Sequence, residues 1–194
     1  FRVRIPPNSG GSFGIKLSVF PYMVLMAIAA RVTGRPVKWV EDRVEHLVAA
    51  SSGPNRITEM EAAVTNDGRI LAFRLDQLED YGAFLRAPMP GPLYRMHGSV
   101  TGAYDIPNVD VVNRVVVTNK MPAGLIRGFG GPQLYLAIER LVQRIAIELG
   151  LDHLDVLRKN LIPTAKFPYK TAAGSLYDSG DYQRNVELAV GDGQ

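Results

Sequence analysis

The segment that most constrains this chain is a glycine-rich run at residues 125–133, between a β-rich stretch and a strongly periodic helix. Closely spaced glycines allow positive φ and let the backbone approach a ligand without a Cβ in the way. A helix that begins near Pro132 directs its free N–H groups and its positive dipole end at this loop. The pattern predicts a seat for an anionic or oxo-rich ligand, with Arg127 as fixed charge and Phe129 as a stacking wall. A tight strand-to-helix turn without a ligand explains the same spacing.

Composition excludes several classes of chemistry from this chain. The 194 residues include no cysteine, which removes disulfides, thiolate metal ligands, iron–sulfur ligation and cysteine nucleophiles. The three histidines lie far apart and lack metal-ligand spacing. The net charge of +3 comes from scattered basic residues, so no nucleic-acid partner is expected. The apolar run at 17–30 is too short to span a bilayer, and we expect a helix buried on several sides.

Hairpin and helix signals together predict an α+β fold. A hairpin is expected at 57–78, because two β-rich runs flank an Asp-Gly turn. Long helices are expected at about 20–33 and 133–149, the second ending at Gly150. We expect a mixed or antiparallel sheet in which the hairpin packs against these helices. Shorter elements are predicted as strands at 2–5, 37–40 and 111–118, a helix capped by Asp152, a loop at 164–180 and a helix at 181–190.

A second glycine-rich loop, at residues 10–14, also opens a predicted helix, and two such loops can hold one extended ligand from two sides. Here the chain resembles the molybdenum hydroxylases, which include xanthine dehydrogenase, aldehyde oxidase and the large subunit of aerobic carbon monoxide dehydrogenase. The matching segments follow the family's order, and the last is typical of the carbon monoxide dehydrogenase-like branch: residues 10–16, 33–38, 104–109, 127–133 and 177–182. Each segment alone is a weak signal, whereas the ordered set is specific.

The resemblance implies that residues 1–194 form part of the molybdopterin cofactor-binding region, as a single domain or as a fragment of a longer chain. It implies molybdopterin with molybdenum, in the cytosine dinucleotide form. Backbone N–H groups and the Arg127 guanidinium suit such an acceptor-rich ligand. The residues that the resemblance assigns to the cofactor are Gly11, Ser12, Phe13, Gly14, Arg127, Gly128, Phe129 and Gly130.

Matches to the family's motifs, and departures from them, narrow the range of expected substrates. Phe129 matches an aromatic that packs on the substrate ring, with ordinary core packing as the alternative. Arg95 falls where some members have a substrate-orienting arginine, with an exposed surface arginine as the alternative. The copper-binding cysteine of true carbon monoxide dehydrogenases would fall at Gly128, and the glutamate of xanthine-type enzymes at Leu17. The resemblance therefore implies water-derived hydroxylation of an aldehyde or N-heterocycle.

The family's catalytic glutamate lies in a distant C-terminal motif that nothing in this chain matches. Four glutamates have the pattern of solvated side chains, and none is assigned a catalytic role: Glu41, Glu59, Glu61 and Glu139. We therefore expect an oxidoreductase as the parent protein and an inactive fragment.

The absence of cysteine places the electron-transfer groups elsewhere. The resemblance implies an Fe–S subunit and an FAD subunit as partners in a dimer of heteromers, a small-molecule substrate, a cytoplasmic location and no membrane span. Two alternatives remain open. The first is a non-catalytic binding or assembly module on the same scaffold. The second is a generic phosphate- or nucleotide-binding domain that uses the helix N-termini at Gly14 and Pro132.

Overall fold

The computed structural model describes residues 4, 7, 8, 10–14, 21–87 and 89–192. The chain divides into two compact units, one drawn from residues 1–55, 80–90 and 116–129 and the other from 56–79, 91–115 and 130–194. The elements confirm the α+β prediction. They are α1 (Pro21–Thr33), α2 (Arg43–Ala49), β1 (Asn55–Val64), β2 (Ile70–Asp80), α3 (Gly91–Tyr94), β3 (Asn108–Val116), α4 (Gly131–Leu149), α5 (His153–Asn160), β4 (Tyr169–Lys170), β5 (Leu176–Tyr177) and α6 (Tyr182–Asp192), with 3-10 turns at 97–99 and 164–166.

The predicted hairpin is confirmed and is about two residues longer at each end. β1 and β2 pair, and β3 joins on the other side of β2, which gives the strand order β1-β2-β3. The turn closes where the N–H of Thr65 donates to the carbonyl of Arg69 at 2.9 Å. The strand predicted at 111–118 corresponds to β3, which begins three residues earlier.

Helix α4 provides one side of the core of the second unit and confirms the helix predicted at 133–149. Gly150 ends it in the left-handed conformation, with φ of 66°. Its buried side chains recur every three or four residues, as an amphipathic helix requires. They pack with apolar residues of β2 and α5 in one cluster that includes Leu134, Ile138, Val142, Ile145, Ile70, Phe73, Leu75 and Val156.

Helix α5 is capped as predicted and ends on a buried amide. The Asp152 carboxylate accepts hydrogen bonds from two N–H groups of the first turn, at 2.8 and 3.1 Å. At the other end, the Asn160 side chain is fully buried. It donates to the carbonyl of Gly68 and accepts from the N–H of Ile70, each at 2.8 Å. This one amide ties α5 to the hairpin.

The prediction that the first long helix is buried on several sides is wrong. α1 contains no buried residue, and Val24, Leu25 and Val32 are 51%, 56% and 79% exposed. An apolar sequence indicates that a helix is suited to burial, but burial also requires other elements around the helix. The described residues of this unit do not enclose α1. Among the described residues, no helix combines the length and apolar character needed to cross a bilayer. The strand predicted at 2–5 and the helix residue at about 20 lie outside the described residues, except for Arg4.

Two local predictions in the first unit also fail. Residues 37–40 form no strand but an irregular segment, in which the Trp39 ring packs on Tyr22 with centroids 4.2 Å apart. Helix α2 was not predicted, although a capping box marks its start. The N–H of Glu45 donates to the Asp42 carboxylate at 2.8 Å, and the N–H of Asp42 donates to the Glu45 carboxylate at 2.9 Å.

The segment predicted as a loop at 164–180 contains a short hairpin. β4 and β5 pair antiparallel, with Tyr169 opposite Tyr177. A turn hydrogen bond from Thr171 N–H to the Ser175 carbonyl, at 2.8 Å, closes it. Strands of two residues carry too little alternation to be recognised in a polar sequence. The final helix, predicted at 181–190, is α6.

Candidate functional site

The two glycine-rich loops lie against each other in the first unit. The backbone N–H of Arg127 donates to the carbonyl of Phe13 across a gap of 2.6 Å. A Cβ placed on Gly14 would lie 3.1 Å from both the carbonyl oxygen and the Cγ of Leu125. The loops at 10–14 and 125–129 therefore form one continuous surface, which we call the paired glycine loops.

Both loops use left-handed backbone conformations. The φ values are 52° at Phe13 and 105° at Gly14 in the first loop, and 94° at Gly128 and 42° at Phe129 in the second. Glycine adopts such angles freely, whereas a residue with a Cβ is strained there by about 1–2 kcal/mol. Strained residues of this kind persist where the surroundings hold them, and they cluster at functional sites.

Hydrogen bonds between residues close in sequence restrain the shape of each loop. The N–H of Gly14 donates to the Ser12 hydroxyl at 3.2 Å. The N–H of Phe129 donates to the carbonyl of Ile126 at 2.8 Å. Both bonds span two or three residues, so each loop has its own local restraint in addition to the bond between Arg127 and Phe13.

Segment 51–53 supports the second loop, and the sequence carries no signal for this contact. The N–H of Gly124 donates to the carbonyl of Ser52 at 2.7 Å, next to a parallel bridge between Ser52 and Ala123. A Cβ on Gly124 would lie 2.2 Å from the Ser51 hydroxyl oxygen. Segment 51–53 thus holds the start of the second loop. A lone glycine before the motif gave no sequence signal for this contact.

The groups left at the surface of the paired glycine loops are mainly hydrogen-bond donors and one aromatic ring. The Arg127 residue is exposed, and Phe13 is 66% exposed. Within the described part of the chain, the N–H of Gly128 donates to no protein acceptor. A Cβ on Gly11 would meet no atom closer than 4.0 Å, so the described protein leaves open space there. The N–H of Arg127 is not among these surface donors, because it donates to the carbonyl of Phe13.

Gly130 and Arg95 belong to the second unit. A Cβ on Gly130 would lie 2.1 Å from the carbonyl oxygen of Pro92, so close packing on α3 accounts for glycine at this position. Arg95 directly follows α3, where its N–H donates to the carbonyl of Gly91 at 3.0 Å, and the residue is exposed. Phe129, in the first unit, is half-buried.

The acidic residues do not assemble a metal site among the described residues. Glu59 and Glu61 are exposed, as predicted. Glu41 is the exception among the four glutamates, because it is mostly buried and lies 2.8 Å from the His46 ring nitrogen. Glu79, which lies in no recognisable motif, is fully buried and forms an ion pair with Arg56.

Comparison with known proteins identifies the family. The profile of the molybdopterin cofactor-binding domain matches residues 2–161. The chain belongs to this family, within the molybdenum hydroxylases. The carbon monoxide dehydrogenase large chain of Hydrogenophaga pseudoflava is 39% identical over 194 residues, which cover 97% of this chain and 24% of that protein. A subunit of the 6-hydroxypseudooxynicotine dehydrogenase complex of Paenarthrobacter nicotinovorans is 34% identical over 186 residues, covering 93% of this chain and 23% of that subunit.

Solved structures support the same assignment. Quinoline 2-oxidoreductase from Pseudomonas putida 86 superposes with a TM-score of 0.87 at 33% identity, covering 94% of this molybdopterin-domain chain and 23% of that chain. The chain thus spans about a quarter of the length of the relatives it matches. The resemblance read from the ordered motifs is confirmed.

Proposed function

We propose that the paired glycine loops form one wall of a molybdopterin pocket in a water-dependent hydroxylase. The observation that carries the proposal is the hydrogen bond from the Arg127 N–H to the Phe13 carbonyl, because it unites the two motifs that the family resemblance assigns to the cofactor. Residues 1–194 then form part of the cofactor-binding region of a larger oxidoreductase.

The chemistry of the loops fits such a group. Molybdopterin carries phosphate, dithiolene and metal-bound oxygen or sulfur, all of which accept hydrogen bonds. The paired loops offer the opposite: an exposed guanidinium at Arg127, the N–H of Gly128, and open space over Gly11. When bound, the cofactor supplies the redox centre for hydroxylation with oxygen from water.

Each residue then has a positioning task. Gly11, Ser12 and Gly14 allow close approach of the first loop, and the Phe13 ring covers one side. The Arg127 guanidinium neutralises negative charge, and the N–H of Gly128 donates to an acceptor. For Phe129 we propose contact with the substrate ring. For Gly130 and Arg95, which belong to the second unit, we propose the cofactor contact and the substrate contact that the resemblance assigns.

We propose an aldehyde or an N-heterocycle as the substrate. Gly128 stands where the copper-binding cysteine of true carbon monoxide dehydrogenases would fall, and the chain contains no cysteine. A relative named for quinoline, an N-heterocycle, shares the fold at 33% identity. The proposal also includes the cytosine dinucleotide form of the cofactor, Fe–S and FAD groups on partner subunits, a dimer of heteromers and a cytoplasmic location. Assays with aldehydes, N-heterocycles and carbon monoxide in ¹⁸O-labelled water test the substrate; turnover of carbon monoxide alone contradicts it.

Metal and pterin analysis of the full-length protein, expressed in a host that makes the cofactor, tests the site. Wild type is expected to contain molybdenum near stoichiometry. Gly128→Val is expected to lose nearly all of it, because a branched side chain opposes φ of 94° and blocks approach of the cofactor. Gly174→Val is the matched control, since Gly174 has φ of 98° and a Cβ there meets open space.

Retained molybdenum in Gly128→Val, or equal loss in both variants, contradicts a local role for the second loop. Wild type without molybdenum favours the assembly-module alternative. Saturable nucleotide binding without pterin favours the generic phosphate-binding alternative.

A further inference from the structure

A cavity of about 440 Å³ opens on the second unit, between α4, the turn at 99–103 and the segment that leads from β5 into α6. Its walls include three tyrosines and one carboxylate: Tyr135, Tyr177, Tyr182 and Glu139. Its volume lies in the range of small-molecule sites. We call it the tyrosine cavity. It shares no residue with the paired glycine loops.

Neighbouring groups fix two of the three rings. The hydroxyl of Tyr177 donates to the carbonyl of Gly102 at 3.1 Å. The Tyr182 ring meets Phe167 edge to face, with centroids 5.5 Å apart. Burial, followed by the nearby phenols of Tyr182 and Tyr135, raises the pKa of Tyr177 to about 12. The Tyr177 wall is therefore a neutral, electron-rich ring at physiological pH.

Glu139 brings a negative charge to this aromatic wall. The hydroxyl of Tyr104, a buried residue, donates to its Oε2 at 2.7 Å and orients the carboxylate. Within the described ranges, Glu139 forms no ion pair, and no lysine or arginine lines the cavity. The carboxylate thus lacks a compensating charge from the described residues.

We propose that the tyrosine cavity binds an organic cation that carries a substituted ammonium or guanidinium group. The faces of aromatic rings attract such a cation through their quadrupoles, and the oriented carboxylate adds a charge-assisted contact. An anion is repelled by Glu139, and one carboxylate is too few oxygen ligands for a divalent metal ion. This inference does not depend on the proposed cofactor site.

Tetramethylammonium and tert-butanol, a neutral molecule of similar size and shape, test the charge preference. Binding to the full-length protein is measured by saturation-transfer NMR at constant ionic strength. Wild type is expected to bind tetramethylammonium saturably and tert-butanol about tenfold more weakly. Glu139→Gln, which keeps an oxygen acceptor for Tyr104, and Tyr135→Leu are each expected to weaken the cation about tenfold. If wild type binds the probes, equal affinity for the two, or unchanged affinity for tetramethylammonium in Glu139→Gln, overturns the proposal.

Glu148→Gln is the matched control, because Glu148 lies on the same helix and pairs with Arg144 instead of lining the cavity. It is expected to leave cation affinity unchanged.

A lysine or arginine side chain elsewhere in the full-length polypeptide is a second source of the same kind of cation for the tyrosine cavity. In that case free tetramethylammonium does not bind wild type, and Glu139→Gln lowers the Tm of the full-length protein whereas Glu148→Gln does not. The Tm of the double variant Glu139→Gln/Tyr135→Leu is then expected to fall no further than that of the more destabilised single variant. Absence of cation binding together with equal Tm values for the two glutamine variants overturns the proposal.

Discussion

The ion pair between Arg56 and Glu79 gives the sharpest stability prediction. Both side chains are buried, at 2% and 0% exposure, and the guanidinium contacts one carboxylate oxygen through Nε and Nη2. Its Nη1 also donates to the amide oxygen of Gln77 at 2.8 Å. Removing one member of such a pair leaves a buried charge without its counter-charge, which costs about 3–5 kcal/mol.

A double-mutant cycle isolates this interaction. Glu79→Leu and Arg56→Met are each expected to lower the free energy of unfolding by about 3–5 kcal/mol. The double variant removes both charges, and its main loss is the hydrogen bond to Gln77, about 1–2 kcal/mol. The two single losses therefore exceed the double loss, and the coupling energy is about 4 kcal/mol or more.

The assay is urea unfolding of the four proteins, followed by far-UV circular dichroism. A single variant that loses this much approaches the whole stability of a domain, about 5–15 kcal/mol, so the double variant is expected to recover folding. The control cycle uses Arg114 and Asp76, whose side chains pair at 2.7 Å between β3 and β2 with Arg114 59% exposed. Its coupling is expected to be about 0–1 kcal/mol. Additive losses at Arg56 and Glu79, or a coupling no larger than the control's, refute the reasoning.

Two further predictions concern other buried or paired polar groups. Asn160→Asp removes two N–H donors from a fully buried side chain and is expected to lower the free energy of unfolding by about 2–4 kcal/mol. Asn185→Asp, at an exposed position, is expected to change it little. Equal losses for the two variants in urea unfolding contradict this prediction. The hydrogen-bonded Lys120 ammonium is the main cause that lowers the pKa of Asp80 from 3.8 to about 2. The stability that Asp80 contributes is therefore complete above about pH 4 and lost as the pH falls towards 2. Asp80→Asn is expected to flatten acid unfolding in this window, and an unchanged circular-dichroism curve argues against the linkage.

Elements with strong local signals were predictable from sequence. The hairpin of β1 and β2 follows from an Asp-Gly turn between β-rich runs, and α4 follows from its apolar stripe and its stop at Gly150. The cap at Asp152 places α5 in the same way. In each case the residues that specify the element lie within a few positions of one another, so no knowledge of distant contacts is needed.

The failures lie where distant contacts decide the outcome. The apolar sequence of α1 indicates burial, but the described residues do not enclose it. At residues 37–40 the β-branched and aromatic side chains favour a strand, and a strand also needs a partner with free backbone groups. Helix α2 is a different failure. Its capping box is a local signal that the sequence contains, but no helix was predicted from this short charged segment.

The site shows the same division between local signal and distant contact. Motif order predicts that both glycine loops serve one ligand, which stays a prediction. The glycines of the run at 125–133 indicated positive φ there, which Gly128 has. The left-handed conformations at Phe13 and Phe129 were not predictable, because phenylalanine is strained there and carries no signal for it. Backbone hydrogen bonds hold both phenylalanines: the N–H of Arg127 donates to the carbonyl of Phe13, and the N–H of Phe129 donates to the carbonyl of Ile126. Two strained phenylalanines in two contacting loops cost more free energy than a simple turn requires. Such backbone strain is expected where the backbone must present hydrogen-bond donors to a ligand.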